Sequence, residues 1–154
     1  MSYQLLSFVL FWFLISIYPI KTVAQNNPDF YMENGTCKCP NADFGDTGIL
    51  TVDGEQKTFT KRSRTQLIGL IDNYSLDVDI PLTCTSGITD MSYLFTDEVY
   101  FNLNLNYWDV SNVTNMSRMF KDAVIFDQPL DNWDVSAVTN MSYMFFNAVN
   151  FDQA

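Results

Sequence analysis

The feature that most constrains this chain is a sequence repeat of 25 residues in its second half. The segments that begin at Trp108 and Trp133 are identical at 16 of the 22 positions that the later one reaches. Shifting back by one further period gives a segment that has diverged but stays in register. A fixed period of this length is typical of architectures in which no single unit can bury its own apolar side chains. The copies span residues 83–107, 108–132 and, incompletely, 133–154.

Each copy contains two hydrophobic patterns in a fixed order. The first, L-x-x-W-x-V ending at Val110, has the spacing of a leucine-rich-repeat strand. The second, Met116-x-x-Met119-Phe120, has the spacing of one face of a helical turn, and Thr114 is placed to cap that turn. We therefore predict an α/β repeat solenoid of leucine-rich-repeat-like strand–helix units, with a parallel sheet on one side.

The repeat also resembles that of a known family. Trp-Asp-Val-Ser-x-Val-Thr-x-Met-Ser-x-Met-Phe followed by Phe-Asp-Gln is similar to the 25-residue repeat of BspA-like leucine-rich-repeat surface proteins. The resemblance covers residues 83–154, and residues 59–68 resemble the region that precedes such repeats. It implies an exported or cell-surface protein of adhesive or interaction type, with no catalytic residues to carry over.

An apolar run at the N-terminus predicts export. Residues 5–20 are shorter than the ~20 apolar residues of a membrane span, and the small residue Ala24 follows closely. We read residues 1–24 as a secretory signal peptide that is cleaved after Ala24. The alternative is an uncleaved anchor, because no Lys or Arg precedes Leu5.

The three cysteines are treated as disulfide candidates, since an exported chain meets oxidising conditions. Cys37 and Cys39 are too close in sequence to bridge each other, so Cys84 is expected to pair with one of them. Cys84 aligns with Asp109, an outward position of the predicted strand. A zinc site is disfavoured because the Cys-x-Cys spacing is short and no second ligand pair follows. No metal or cofactor is expected.

Residues 25–82 have no internal period and are predicted to form an N-terminal capping region. The pair Asp53-Gly54 lies between two short β-type segments and indicates a hairpin. Ser63 and Gln66 have capping-box spacing ahead of an apolar stretch, which indicates a short helix.

Polar side chains fall on the outward strand positions, which would line the exposed face of the sheet. Trp108 and Trp133 fall on inward positions, so they are interpreted as core residues rather than sugar-stacking platforms. Calcium binding by the carboxylates is disfavoured, because no loop has the ligand spacing of a calcium motif. The candidate binding residues are Asn106, Tyr107, Asp109, Asp131, Asn132 and Asp134.

Composition excludes two classes of function. The chain has no histidine, the commonest general base and metal ligand, and no catalytic site is located, so we do not predict an enzyme. The formal net charge of −10 leaves no basic patch for nucleic acid.

Asn34 and Asn73 begin Asn-x-Ser/Thr triplets outside the repeats and are candidate glycosylation sites.

These patterns predict a secreted or cell-surface binding module that contacts a protein or glycan on another cell or matrix. The alternative is a structural spacer or surface-layer protein without a specific ligand. If residues 1–24 are cleaved, contact with a membrane would need a further anchor that the sequence does not display. The third copy stops within a unit and leaves apolar residues without a neighbour, so we expect a fragment of a longer array, or self-association through the C-terminal end.

Overall fold

The computed structural model describes residues 27–73 and 79–153, so the predicted signal peptide lies outside the described residues. The elements, in chain order, are strand β1 Tyr31–Glu33, strand β2 Thr36–Lys38, strand β3 Thr47–Val52, strand β4 Glu55–Lys61, helix α1 Arg64–Asp72 and strand β5 Thr83–Cys84.

Two tight hairpins organise the N-terminal part. Asn34-Gly35 joins β1 to β2 and Asp53-Gly54 joins β3 to β4, both as antiparallel pairs. All four turn residues have positive φ, from 49° to 79°, as the mirror-image turns of two-residue hairpins require. Only the second hairpin was predicted, although Asn-Gly is an equally strong signal. Strand β5 then pairs in parallel with β4 and completes a three-stranded sheet.

Helix α1 begins where its capping box predicts. The hydroxyl of Ser63 accepts a hydrogen bond from the N–H of Gln66 at 3.3 Å, and the Gln66 side chain accepts one from the N–H of Ser63 at 2.9 Å. These two bonds satisfy backbone donors that the helix itself leaves free. The buried side chains of Leu67 and Ile71 attach the helix to the core of the repeats.

We expect Ser63→Ala to lower the free energy of unfolding by about 1 kcal/mol, because the N–H of Gln66 loses its acceptor. Urea denaturation followed by circular dichroism measures the change. Ser63→Thr retains the capping oxygen and is the matched control. Equal stability of the Ala variant and the wild type would contradict the role of the cap.

The predicted α/β leucine-rich-repeat-like solenoid is wrong. Among the described residues there is one helix, which precedes the repeats, and there are two small sheets. Within residues 83–153 the structure has turns, the two-residue strand β5 and isolated parallel bridges that join Asp90, Asn115 and Asn140. No copy contains a strand–helix unit in this described range.

The backbone explains why both predicted elements are missing. Arg118 and Asp122 have φ of 56° and 60°, which a right-handed helix does not allow, so the Met-x-x-Met-Phe segment folds as turns. In the predicted strand, the N–H of Trp108 donates to the carbonyl oxygen of Leu105 at 3.0 Å and closes a turn. Thr114 does not cap a helix, because its N–H and hydroxyl both donate to the carbonyl oxygen of Thr89.

The turns still bury the apolar positions of each copy. Phe120 lies between Phe95 and Phe145, with ring centroids 5.3 and 5.4 Å apart and nearly parallel planes. Trp108 and Trp133 are buried, and each indole N–H donates to a backbone carbonyl oxygen at 3.0 Å. The tryptophans are therefore core residues, as their spacing indicated. A second, smaller core lies under the hairpins and contains Phe30, Cys37, Cys39, Ala42, Val52, Phe59 and Cys84.

Candidate functional site

The residues predicted to share an exposed sheet face do not share one, because this part of the chain is built of turns. Asp131 and Asp134 are exposed, whereas Asp109 is buried and the other three are half-buried. The side-chain contacts of these residues therefore show what each of them does.

Asp109 is the centre of a buried polar network that joins β2 to the repeats. Lys38 donates to its Oδ1 at 2.6 Å and to the hydroxyl of Ser111 at 3.2 Å. Ser86 donates to Oδ2 at 2.5 Å, and the N–H of Ser111 donates to Oδ1 at 3.1 Å. The N–H of Cys39 in turn donates to the hydroxyl of Ser86 at 3.0 Å. The assignment of Asp109 to an exposed binding face is therefore wrong.

The charge of Asp109 is fixed by this network. Burial raises the pKa of its carboxyl group, but the hydrogen bonds from Lys38, Ser111 and Ser86 lower the pKa further and prevail. The pKa therefore lies below its usual range, and the ion pair with Lys38 persists at neutral pH. At the equivalent exposed position of the next copy, the hydrogen bond from Ser136 lowers the pKa of Asp134.

Tyr107 is held between the two hairpins rather than presented to a partner. Its hydroxyl donates to the Asp53 carboxylate at 2.5 Å, and its carbonyl oxygen accepts from the N–H of Cys37 at 2.7 Å. The hydrogen bond to Asp53, followed by burial, raises the pKa of Tyr107 to about 12. The phenol therefore stays protonated and keeps donating at physiological pH.

Asn106 and Asn132 hold the turn of the first hairpin. The N–H of Asn132 donates to the side-chain oxygen of Asn106 at 2.9 Å, and its amide donates to the carbonyl oxygen of Gly35 at 3.3 Å. A Cβ atom on Gly35 would lie 2.4 Å from that amide and would have to displace it, and the φ of 79° at this position independently favours glycine.

A polar cleft of about 330 Å³ lies beside the Asp109 network. Lys61 lies in its wall, 7% exposed, and donates to the carbonyl oxygens of Pro40 at 3.3 Å and Ala42 at 2.8 Å. The ring of Phe44 lies 5.6 Å from its ammonium nitrogen. The lining residues are Tyr31, Glu33, Lys38, Pro40, Lys61, Ser86, Gly87, Asp109, Ser111 and Asn112.

The repeats display a second surface that the sequence did not predict, here called the aromatic–arginine face and formed by Tyr93, Arg118, Tyr143 and Phe146. The guanidinium of Arg118 lies between the two tyrosines, with its central carbon 5.3 and 5.2 Å from their ring centroids. It also donates to the hydroxyl of Tyr93 at 2.6 Å. Tyr93, Tyr143 and Phe146 are 51%, 60% and 54% exposed.

The conformation of this face is unusual. Tyr93, Arg118 and Tyr143 occupy equivalent positions of the three copies, and all have left-handed backbones with φ of 62°, 56° and 60°. In the first two copies the residues on either side, Ser92 and Leu94 and then Ser117 and Met119, are buried, so the side chain between them lies outward from a buried segment. The sequence signal was present, because the x of Met-Ser-x-Met-Phe varies among otherwise repeated residues, but spacing alone does not reveal a positive φ.

The cysteines form one disulfide. Cys39 is bonded to Cys84, so residues 25–82 are cross-linked to the first copy, and Cys37 is the free thiol. Cys84 is fully buried rather than outward. Burial, and then the nearby charge of Asp109, raise the pKa of Cys37 to about 12, so this thiol stays protonated.

Other sequence candidates have simple placements. Asn34 and Asn73 are both exposed, and the Asn73 amide donates to the carbonyl oxygen of Gly69 at 2.7 Å. Within residues 27–73 and 79–153, no three Cys, Asp or Glu side chains are grouped as a metal site would need. In the same ranges no helix has both the length and the apolar character of a membrane span.

Comparison with known proteins gives one match. Residues 65–154 match the family described as "Mycoplasma protein of unknown function, DUF285". Neither the curated proteins nor the solved structures contain a match. The matched segment includes most of helix α1, all three copies of the repeat and the aromatic–arginine face, which is more than half of the chain. The chain therefore belongs to the DUF285 family.

Proposed function

We propose that this protein is an exported interaction module that binds a partner protein through the aromatic–arginine face. The observation that carries the proposal is the left-handed backbone of three bulky surface residues, the exposed Tyr93 and Tyr143 and the half-buried Arg118 between them. A non-glycine residue in this conformation costs of order 1–3 kcal/mol, and such residues cluster at functional sites.

Each copy has a second left-handed position, and the residues found there can be compared with Tyr93, Arg118 and Tyr143. A second left-handed position follows four residues later in each copy, with φ of 64°, 60° and 58°, and is occupied by Asp97, Asp122 and Asn147. Asp and Asn tolerate this conformation best among residues other than glycine. The first position could be filled in the same way, yet it carries tyrosine and arginine. Their side chains offset part of this cost through the contacts of Arg118 with Tyr93 and Tyr143, and we attribute the remainder to binding.

The chemistry of the face fits a protein partner. Tyrosine and arginine are enriched among the residues that dominate binding energy in protein interfaces. Arg118 uses one guanidinium N–H for Tyr93, and its other N–H groups have no partner in the part of the chain that the structure describes. Tyr143 and Phe146 add exposed ring area beside it, with centroids 5.9 Å apart. The partner surface is accordingly apolar, with carbonyl or carboxylate oxygens that accept from Arg118.

Export is part of the proposal and has separate support. The apolar run at residues 5–20 resembles a signal core, and the bond between Cys39 and Cys84 is of the kind that persists in oxidising compartments. Both features agree with a secreted or cell-surface location.

The triple variant Tyr93→Asn, Arg118→Asn, Tyr143→Asn tests the proposal. Asparagine keeps the left-handed backbone at lower cost but removes the contacts among the three side chains, so we expect little net change in thermal stability. We expect partner affinity to fall by at least about 100-fold. The measurement is binding of the purified chain to arrays of extracellular protein domains and of glycans. The matched control is Asp131→Asn with Asp134→Asn, which changes exposed residues outside the face.

Protein ligands that bind wild type and control but not the triple variant would support the proposal. Binding that the triple variant retains would overturn it. Binding to glycans alone would show that the partner is a carbohydrate and not a protein. Absence of any ligand would favour a structural spacer.

A further inference from the structure

The polar cleft beside Asp109 contains more buried positive than negative charge. Lys38 is paired with the buried carboxylate of Asp109. Lys61, in the same wall, is buried at 7% exposure, but it makes no ion pair with any carboxylate of residues 27–73 and 79–153. The remaining acid of the lining, Glu33, is exposed to water. A buried ammonium without a counter-ion is costly, so its retention calls for an explanation.

The protein contacts of Lys61 leave room for an anion. An ammonium group has three donors, and two of them are used by the carbonyl oxygens of Pro40 and Ala42. The third is not taken by any oxygen acceptor in the described ranges, although the ring of Phe44 lies 5.6 Å from the ammonium nitrogen, and the side chain lies in the cleft wall. Lys38 likewise gives two donors to Asp109 and Ser111 on the same wall. The two lysines therefore offer charge-assisted donors to a single cleft.

The remaining lining suits a small hydroxylated molecule. Asn112, with its amide, and Glu33, with its carboxylate, line the cleft beside the lysines and supply hydrogen-bonding groups. Tyr31 contributes a ring that is 43% exposed. At Gly87 an added Cβ would meet no atom within 4 Å, so the cleft is open there. A volume of about 330 Å³ lies at the lower end of the range for small-molecule sites.

We infer that this cleft binds the oxyanion of a small hydroxylated ligand, an acidic monosaccharide, through Lys61 and Lys38. The carboxylate of the sugar faces the lysines, its hydroxyl groups meet Glu33 and Asn112, and its apolar side lies against Tyr31. This site is distinct from the aromatic–arginine face, so either proposal can fail without the other.

Isothermal titration calorimetry of the chain with glucuronate, glucose and inorganic phosphate tests the inference. We expect glucuronate to bind and glucose not to bind, because only glucuronate supplies an anion. Lys61→Gln keeps donors for the two carbonyl oxygens but removes the charge, and it should weaken glucuronate binding at least tenfold. Lys57→Gln is the matched control, since it makes the same change on β4 outside the cleft lining.

Tyr31→Ala is a second test that does not depend on the folding of Lys61→Gln, because Tyr31 is exposed on a short edge strand. It should also weaken glucuronate binding, with an unchanged melting temperature. If phosphate binds as tightly as glucuronate, the assignment of an acidic sugar as the ligand is wrong and the cleft is a general oxyanion site. Absence of binding by both anions, or equal weakening by Lys57→Gln, would overturn the site itself.

Discussion

Removing the disulfide by replacing Cys39 and Cys84 with alanine is expected to lower the free energy of unfolding by about 4 kcal/mol. The bond joins residues 45 apart in sequence, and chain-entropy arguments give about this value for a loop of that length. Both sulfur atoms belong to fully buried residues of the small core under the hairpins, so the cross-link also fixes the residue that follows β2 against β5. Urea denaturation of variant and wild type measures the loss.

The free cysteine supplies the control. Cys37→Ala removes a buried thiol but leaves the cross-link, so we expect a clearly smaller loss of stability. Its raised pKa keeps Cys37 protonated, and a thiol attacks a disulfide far more slowly than a thiolate does. Peptide mapping without reduction should therefore find Cys39 joined to Cys84. A bond between Cys37 and Cys84, or three free thiols, would contradict the pairing.

Asp109→Ala is expected to lower the free energy of unfolding by about 3–5 kcal/mol, because it leaves a largely buried lysine without its counter-ion. The Asp109 side chain is 3% exposed and that of Lys38 is 14% exposed. Ser86 and Ser111 lose their acceptor in the same variant. Asp134→Ala, at the equivalent position one copy later, changes an exposed residue and should leave stability nearly unchanged. Comparable losses in both variants would show that burial of Asp109 is not the cause.

The same carboxylate predicts how stability depends on pH. Its pKa is lowered in the folded state, so the stabilisation is complete above the unfolded pKa of about 4 and is lost as the pH falls through the folded pKa. Protonation of other carboxylates also destabilises the protein in acid. The informative quantity is therefore the difference in the free energy of unfolding between wild type and Asp109→Asn. That difference should shrink as the pH falls below about 4. A difference that is constant from pH 7 to pH 3 would contradict the ion pair.

The buried position of Asp109 also changes how the candidate binding residues must be tested. Substituting Asp109 together with Tyr107 and Asp134 would remove binding by destabilising the protein, whatever surface the partner uses. Variants on the aromatic–arginine face avoid this problem, because Tyr93 and Tyr143 are exposed and contribute little to the core.

The sequence predicts a local structural element correctly where the interactions that form the element lie within a few residues. Asp53-Gly54 specifies its turn through positive φ, and Ser63 with Gln66 specifies the start of helix α1 through two hydrogen bonds. The 25-residue period identified the copies, and the repeated tryptophan identified their core. The resemblance to BspA-like surface proteins stays a prediction.

Hydrophobic spacing did not determine the path of the backbone. The positions of Met116, Met119 and Phe120 satisfy a helical face, and all three are buried, yet Arg118 between them has a left-handed conformation. A periodic pattern records which side chains face inward, and a series of tight turns can bury the same positions as a helix. The difference lies in hydrogen bonds between successive copies, such as that from the N–H of Met116 to the carbonyl oxygen of Asn140.

The sequence by itself determined the repeat period, the second hairpin, the start of the helix and the buried tryptophans. Only the tertiary structure decided that Asp109 is buried against Lys38, that Cys39 rather than Cys37 bonds to Cys84, and that Arg118 lies between two tyrosines. Lys38 and Asp109 are 71 residues apart, and Cys39 and Cys84 are 45 apart. Contacts over such separations are set by how the hairpins pack on the repeats, which leaves no signal in the residues beside either partner.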